Sequence, residues 1–149
     1  MLPIFIMALV GAVISAILGT IWYSNSTPMG KLHMRYLGFD KLSAEEQKRQ
    51  MEEAKPKMAK MYGAQILLSI LTSFAVALIV IMSLQNGLTF GMALSFVLLN
   101  WLCFIVPTIG TALLWSNCDR AIVWKKFFSD IGYNLVNLVI VAFVASLLA

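Results

Sequence analysis

One histidine and two cysteines in 149 residues leave little for metal or thiol chemistry. His33 has no carboxylate pair or cysteine near it in sequence to complete a ligand set, so no metal centre is expected. Flanked by Lys31 and Arg35, it reads as a residue exposed at lipid headgroups. Cys103 and Cys118 stand about 22 Å apart along a continuous helix, too far to bridge, and read as isolated thiols. No glycine-rich phosphate loop, nucleophile elbow or HExxH motif occurs. An enzyme and a bound cofactor are therefore not expected. Charge is also scarce: only 12% of residues are charged, and the mean hydropathy of +0.86 lies far outside the soluble globular range.

In place of these features stand four long apolar runs, about Leu2–Tyr23, Tyr62–Leu84, Leu88–Trp115 and Val123–Leu148. Apolar runs of 18 or more residues predict membrane-spanning helices, because hydrocarbon offers no partner to an open backbone. Eight of the eleven Lys and Arg residues fall in 24–63 and three in 116–126, while the Gln85-Asn86-Gly87 turn has none. Basic residues stay cytoplasmic, which places both termini on the periplasmic side of an inner membrane. Trp22, Tyr23, Tyr62, Trp115 and Trp124 fall at the cytoplasmic ends of the spans, as an aromatic belt would; Trp101 is the exception, near mid-span. The first run lacks a basic leader and is too long for a cleaved signal peptide, so it reads as a retained span. The reading is an all-α integral membrane four-helix bundle. It forms a single transmembrane domain over 1–149, with a cytoplasmic amphipathic segment over 24–61. The net charge of +4 suits anionic headgroups, so membrane lipids rather than nucleic acid are the expected partner.

Within 24–61, Ser43 and Glu46 form a capping box that opens a helix. Met51, Ala54, Met58 and Met61 form its apolar stripe, and Pro56 is expected to kink or restart it. The segment reads as a helix lying on the membrane surface, with Lys31, Arg35 and Lys57 as candidate headgroup contacts. Span three, near 42 Å if fully helical, must tilt, kink at Pro107 or project beyond the bilayer.

Two sets of residues inside the spans stand out. Gly11, Ser15 and Gly19 recur every four residues in span one and form a helix-packing face. Polar residues form the other set. Counted from the aromatic belt at ~1.5 Å per residue, Gln65, Thr111 and Asp130 lie ~5 Å deep, Ser15, Ser69, Thr108 and Asn134 ~10 Å, and Thr72 and Asn137 ~15 Å. Matching depths on several spans suggest an internal polar seam, which serves either as interhelical glue or as a path open to the cytoplasm. Lys126 stands four residues before Asp130 and can pair with it.

The blocks Gly19-Thr-Ile-Trp22-Tyr23-Ser24, Gly30-Lys31 and Met34-Arg35-Tyr36-Leu37-Gly38 resemble the start of a family of bacterial membrane proteins catalogued as domain of unknown function 1761. Trp101–Thr108 and Gly132–Val136 resemble its third and fourth spans. The resemblance covers nearly the whole chain and implies the same membrane architecture, with no activity to carry over.

The first functional reading is a structural or interaction protein that forms a homo-oligomer through the Gly11/Ser15/Gly19 face. The alternative is a small channel or transporter using the polar seam, for a ligand the sequence leaves unknown.

Overall fold

Four helices long and apolar enough to cross a membrane dominate the computed structural model, which describes residues 2–149. Helix α1 (Leu2–Trp22) is the first span. A short helix α2 (Pro28–Tyr36) follows, N-capped by Thr27 with Pro28 in its first turn. It ends before Gly38, whose φ of 79° turns the chain into a 3-10 turn at Phe39–Lys41. Helix α3 (Ala44–Gln85) is the longest element, and helix α4 (Phe90–Asn100) opens the third span. A π-helical turn, Trp101–Ile105, joins α4 to helix α5 (Val106–Leu114). Helix α6 (Arg120–Ser146) is the fourth span.

Helices α1 and α6 run antiparallel from Gly11 to the end of α1. The pairings Gly11 by Val141, Ser15 by Asn137, Gly19 by Tyr133 and Tyr23 by Asp130 step down the two helices in register. Helix α3 crosses α1 closely where Gly11 meets Ser73. The core lies toward the chain termini and is wholly apolar: Ile4 and Met7, Val76 through Ile81 in part, Ala93 and Val97, and Leu138 through Ala145 in part. Outward-facing Leu, Ile and Phe residues clothe the remaining span surface, which suits lipid as the solvent.

Two elements differ from the sequence expectation. The capping box forms as expected, with Ser43 N–H donating to Glu46 at 2.9 Å and Glu46 N–H to Ser43 Oγ at 3.3 Å. The helix it opens does not lie on a membrane surface. Helix α3 continues for 42 residues, ~63 Å, through Pro56 and into span two, so the 44–61 segment projects along the span axis. Pro56 is exposed, and water can satisfy the carbonyl that its missing N–H leaves open, which removes the reason to break the helix. The Gln47 amide further fixes the helix start by donating to the carbonyls of Phe39 (2.8 Å) and Leu42 (3.1 Å).

Span three handles Pro107 by local unwinding. The Val106 N–H reaches back five residues to the Trp101 carbonyl, which widens the turn where the proline ring would meet the backbone. Trp101, out of place in an aromatic belt, donates from its indole to the Ile131 carbonyl at 3.1 Å and ties this turn to α6.

Candidate functional site

The basic-side ends of α1 and α6 meet under α2. The Thr27 hydroxyl accepts from the Gly30 amide at 3.0 Å and lies 2.8 Å from the carbonyls of Trp22 and Ser24. Gly30 is buried against that turn so tightly that an added Cβ would sit 1.9 Å from the Ser24 carbonyl oxygen. Only glycine allows α2 to fold back this closely, and the fold-back lays it across α6.

Beneath α2 is an ion pair between Lys126 and Asp130, whose side chains retain only 8% and 17% of their exposure. Tyr23 donates its hydroxyl to Asp130 Oδ1 at 2.7 Å. The Lys126 ammonium also lies over two rings, 5.2 Å from the Tyr23 centroid and 5.7 Å from that of Tyr36. Two charges removed from water need such compensation, and here a phenol and two aromatic faces supply it. Trp22 donates to Ser129 Oγ at 3.3 Å, and Tyr133 donates to the Ser15 carbonyl at 3.0 Å. Chemically the arrangement is a charge-compensated clamp that closes the end of the bundle. No group of His, Cys, Asp and Glu suited to a metal occurs among the described residues.

His33 belongs to this clamp, contrary to the exposed position expected for it. Its ring stands 5.3 Å from that of Tyr23, and Nδ1 is buried without a protein partner. Burial holds its pKa below the usual histidine value, the Lys126 charge adds to the depression and Asp130 opposes it. The folded state thus resists protonation more than the unfolded chain. Stability from this site is full above the unfolded value of about 6.5 and declines as pH falls from there toward the lowered folded value. Protection of the α2 amides, with the pH dependence of intrinsic exchange divided out, is expected to fall between pH 7 and 5.5 in the parent protein, and to lose that dependence in His33→Phe, which keeps the ring contact. Equal pH dependence in the two proteins would refute the role of His33.

A family model described as a protein of unknown function (DUF1761) matches residues 6–146. The chain belongs to this family. No curated protein and no solved structure matches it. The match takes in both halves of the clamp, from Trp22 to Tyr36 and from Lys126 to Tyr133.

Above the clamp, the DUF1761 chain carries a polar ladder. Asn134 donates to the Asp130 carbonyl at 2.9 Å, and Ser15 Oγ lies 3.0 Å from Asn137 Oδ1 and 2.8 Å from the Gly11 carbonyl. Ser69 and Ser73 are buried on α3. The ladder then stops against the apolar core. In this arrangement it fastens α1 to α6.

Not every residue of the expected seam joins it. Gln65 is exposed. Thr108 and Thr111 are exposed and donate to the carbonyls of Phe104 (2.6 Å) and Pro107 (2.8 Å) on their own helix turns. Thr72 donates to the Leu68 carbonyl at 3.0 Å and borders a cavity of about 40 Å³ beside Asn100, away from the ladder. Equal depth had grouped these residues, but their helix faces point elsewhere. Lys31, Arg35 and Lys57 are all exposed, as headgroup contacts require.

The Gly11/Ser15/Gly19 face is consumed within the protomer. A Cβ on Gly11 would come 2.5 Å from Ser73 Cβ on α3, and one on Gly19 would lie 3.2 Å from Tyr133 Oη on α6. It packs helices of one chain and is not free to join two.

Sequence reasoning missed Tyr23, His33, Tyr36 and Tyr133. The signal for the first three was the density of aromatic and polar residues in the Trp22–Tyr36 block, which a surface-segment reading dispersed; Tyr133 stands outside it, one turn beyond Ser129 and Asp130 on α6.

Proposed function

We propose that this multi-pass membrane protein is a non-enzymatic assembly element of a bacterial inner membrane, its basic segments cytoplasmic, and that it pairs with a second copy of itself through α3. The observation that carries the reading is the bareness of that helix. Every residue from Ala59 to Leu68 is exposed, on all faces, although the segment enters the membrane at Tyr62. A helix bare all round is weakly held outside lipid, and inside lipid it gains nothing from the bundle.

A stripe on this helix, exposed except at half-buried Ala54 and Met58, has the spacing of a pairing seam. Met51, Ala54, Met58, Met61, Gln65 and Leu68 alternate by three and four residues, the heptad pattern of a left-handed helix pair. Gln65 is the polar member of this stripe, in hydrocarbon that offers its amide no partner. Two copies in one membrane share an orientation, so a parallel pair sets Gln65 opposite Gln65 and lets the amides bond across the seam. Flanking positions tolerate this pairing: Lys55 faces Gln50 of the second copy and Lys57 faces its Tyr62, with no lysine opposed to lysine.

The test uses native membranes and a chain whose Cys103 and Cys118 are replaced by Ser. Met58→Cys and Met61→Cys are expected to form disulfide dimers on oxidation, while Ala59→Cys, off the seam, is not. Gln65→Leu is expected to weaken the dimer on the order of tenfold in native mass measurements. A monomer in mild detergent together with equal cross-linking at all three positions would sink the reading.

A further inference from the structure

Between α5 and α6, at the end of the membrane marked by the basic loops, lies an open groove of about 280 Å³. Its walls are mostly apolar, from Pro107, Gly110, Leu114, Trp124 and Phe127; Thr111, its hydroxyl spent on the Pro107 carbonyl, and Arg120 are the polar members of the lining. The volume is just under that of small-molecule pockets, enough for a segment of acyl chain and too little for a whole lipid. Two tryptophans mark the headgroup level beside it, Trp115 at 85% exposure and Trp124 at 53%.

Arg120 is exposed beside the groove. One guanidinium nitrogen donates to the Leu114 carbonyl at 3.0 Å, which fixes the side chain and leaves its other N–H donors unspent. The adjacent Asp119 turns a carboxylate oxygen to the Ala121 amide at 2.7 Å, capping α6. Among the described residues no carboxylate lies within ion-pair distance of Arg120. A fixed cation above an apolar slot at headgroup level matches one chemistry, an anion joined to a hydrocarbon chain.

We propose that this groove is a specific site for one anionic phospholipid, its acyl chain against Pro107, Gly110 and Phe127 and its phosphate on Arg120. Lipid fills any exposed membrane surface, so specificity is the content of the proposal. Apolar walls alone accept every phospholipid equally; the guanidinium adds a preference for net negative headgroups. The site lies on α5 and α6, so it is independent of the α3 pairing.

The experiment is native mass spectrometry of the full chain, delipidated and then given phosphatidylglycerol and phosphatidylcholine with matched acyl chains in equal amounts. The parent is expected to retain one phosphatidylglycerol per protomer in preference to phosphatidylcholine. Arg120→Gln is expected to lose about fivefold of that preference. Lys125→Gln, which removes a nearby charge outside the groove, should keep it. Gly110→Leu fills the slot, since an added Cβ already meets Phe127 at 3.4 Å, and should lower retention of both lipids. Equal retention of the two lipids by the parent overturns the proposal. So does an equal loss of preference in Arg120→Gln and Lys125→Gln, which would show a general surface-charge effect.

Discussion

Replacing Lys126 by Met is expected to lower the unfolding free energy by about 3–5 kcal/mol, the cost typical of stranding one member of a buried ion pair. Methionine keeps the length and apolar stem of lysine, so little packing is lost. What is lost is the one cation paired with Asp130 among the described residues; that carboxylate keeps 17% of its side-chain exposure and accepts from Tyr23. The carboxylate must then protonate, draw in water or move out, and each route opens the contact between α6 and the Trp22–Tyr36 block. The double variant Lys126→Met/Asp130→Leu removes both charges and is expected to recover most of the stability, since buried pairs exchanged for apolar residues are often neutral or better. Recovery should fall short by about 1–3 kcal/mol, because the Tyr23 hydroxyl is left without its acceptor. Denaturation in mild detergent, followed by far-ultraviolet circular dichroism, measures both. A single variant as stable as the parent would show that the pair is not the clamp described here.

The same clamp shows where sequence reasoning reaches and where it stops. The four spans were legible from apolar length alone, and the Ser43/Glu46 box and Lys126–Asp130 pair from local spacing, because each depends on residues within one helix. The return of α2 over that pair depends on something no local pattern contains, the fit of a glycine against the Ser24 carbonyl. His33 was misplaced for that reason. The seam failed differently. Depth along a span follows from counting residues, but the face a residue presents follows from how the helices are rotated against one another. Ser15 and Asn137, counted to different depths, meet because their helix faces oppose each other, whereas Thr108, at the depth of Ser15, and Thr111, at that of Asp130, turn to their own backbone. Pro56 was read by its usual effect on a helix; an exposed proline with water at hand left α3 intact.

Substitution of Gly11 separates the two roles open to the small-residue face. Were that face a joint between protomers, Gly11→Ala would change the native mass and leave each protomer's stability nearly unaltered. In the structure the added methyl instead meets Ser73 Cβ and Oγ at 2.5 Å and Val141 Cγ1 at 3.2 Å. Ser73 is fully buried on α3, so the methyl can be relieved only by moving α1 away from α3 and α6. Overpacking of this kind costs about 1–3 kcal/mol, and Gly11→Leu is expected to exceed that and disperse the bundle. The cause can be isolated at its partner. Ser73→Gly removes the atoms that the methyl strikes, so Gly11→Ala/Ser73→Gly should recover more stability than the two single effects predict by addition. A coupling of 1 kcal/mol or more in that cycle, on the order expected for residues in contact, places the clash between α1 and α3 of one chain. Strict additivity would move the effect of Gly11 elsewhere and return the small-residue face to the protomer interface. The Ser73 hydroxyl has no partner in its buried position, so its removal alone should cost little, which leaves the coupling easy to read.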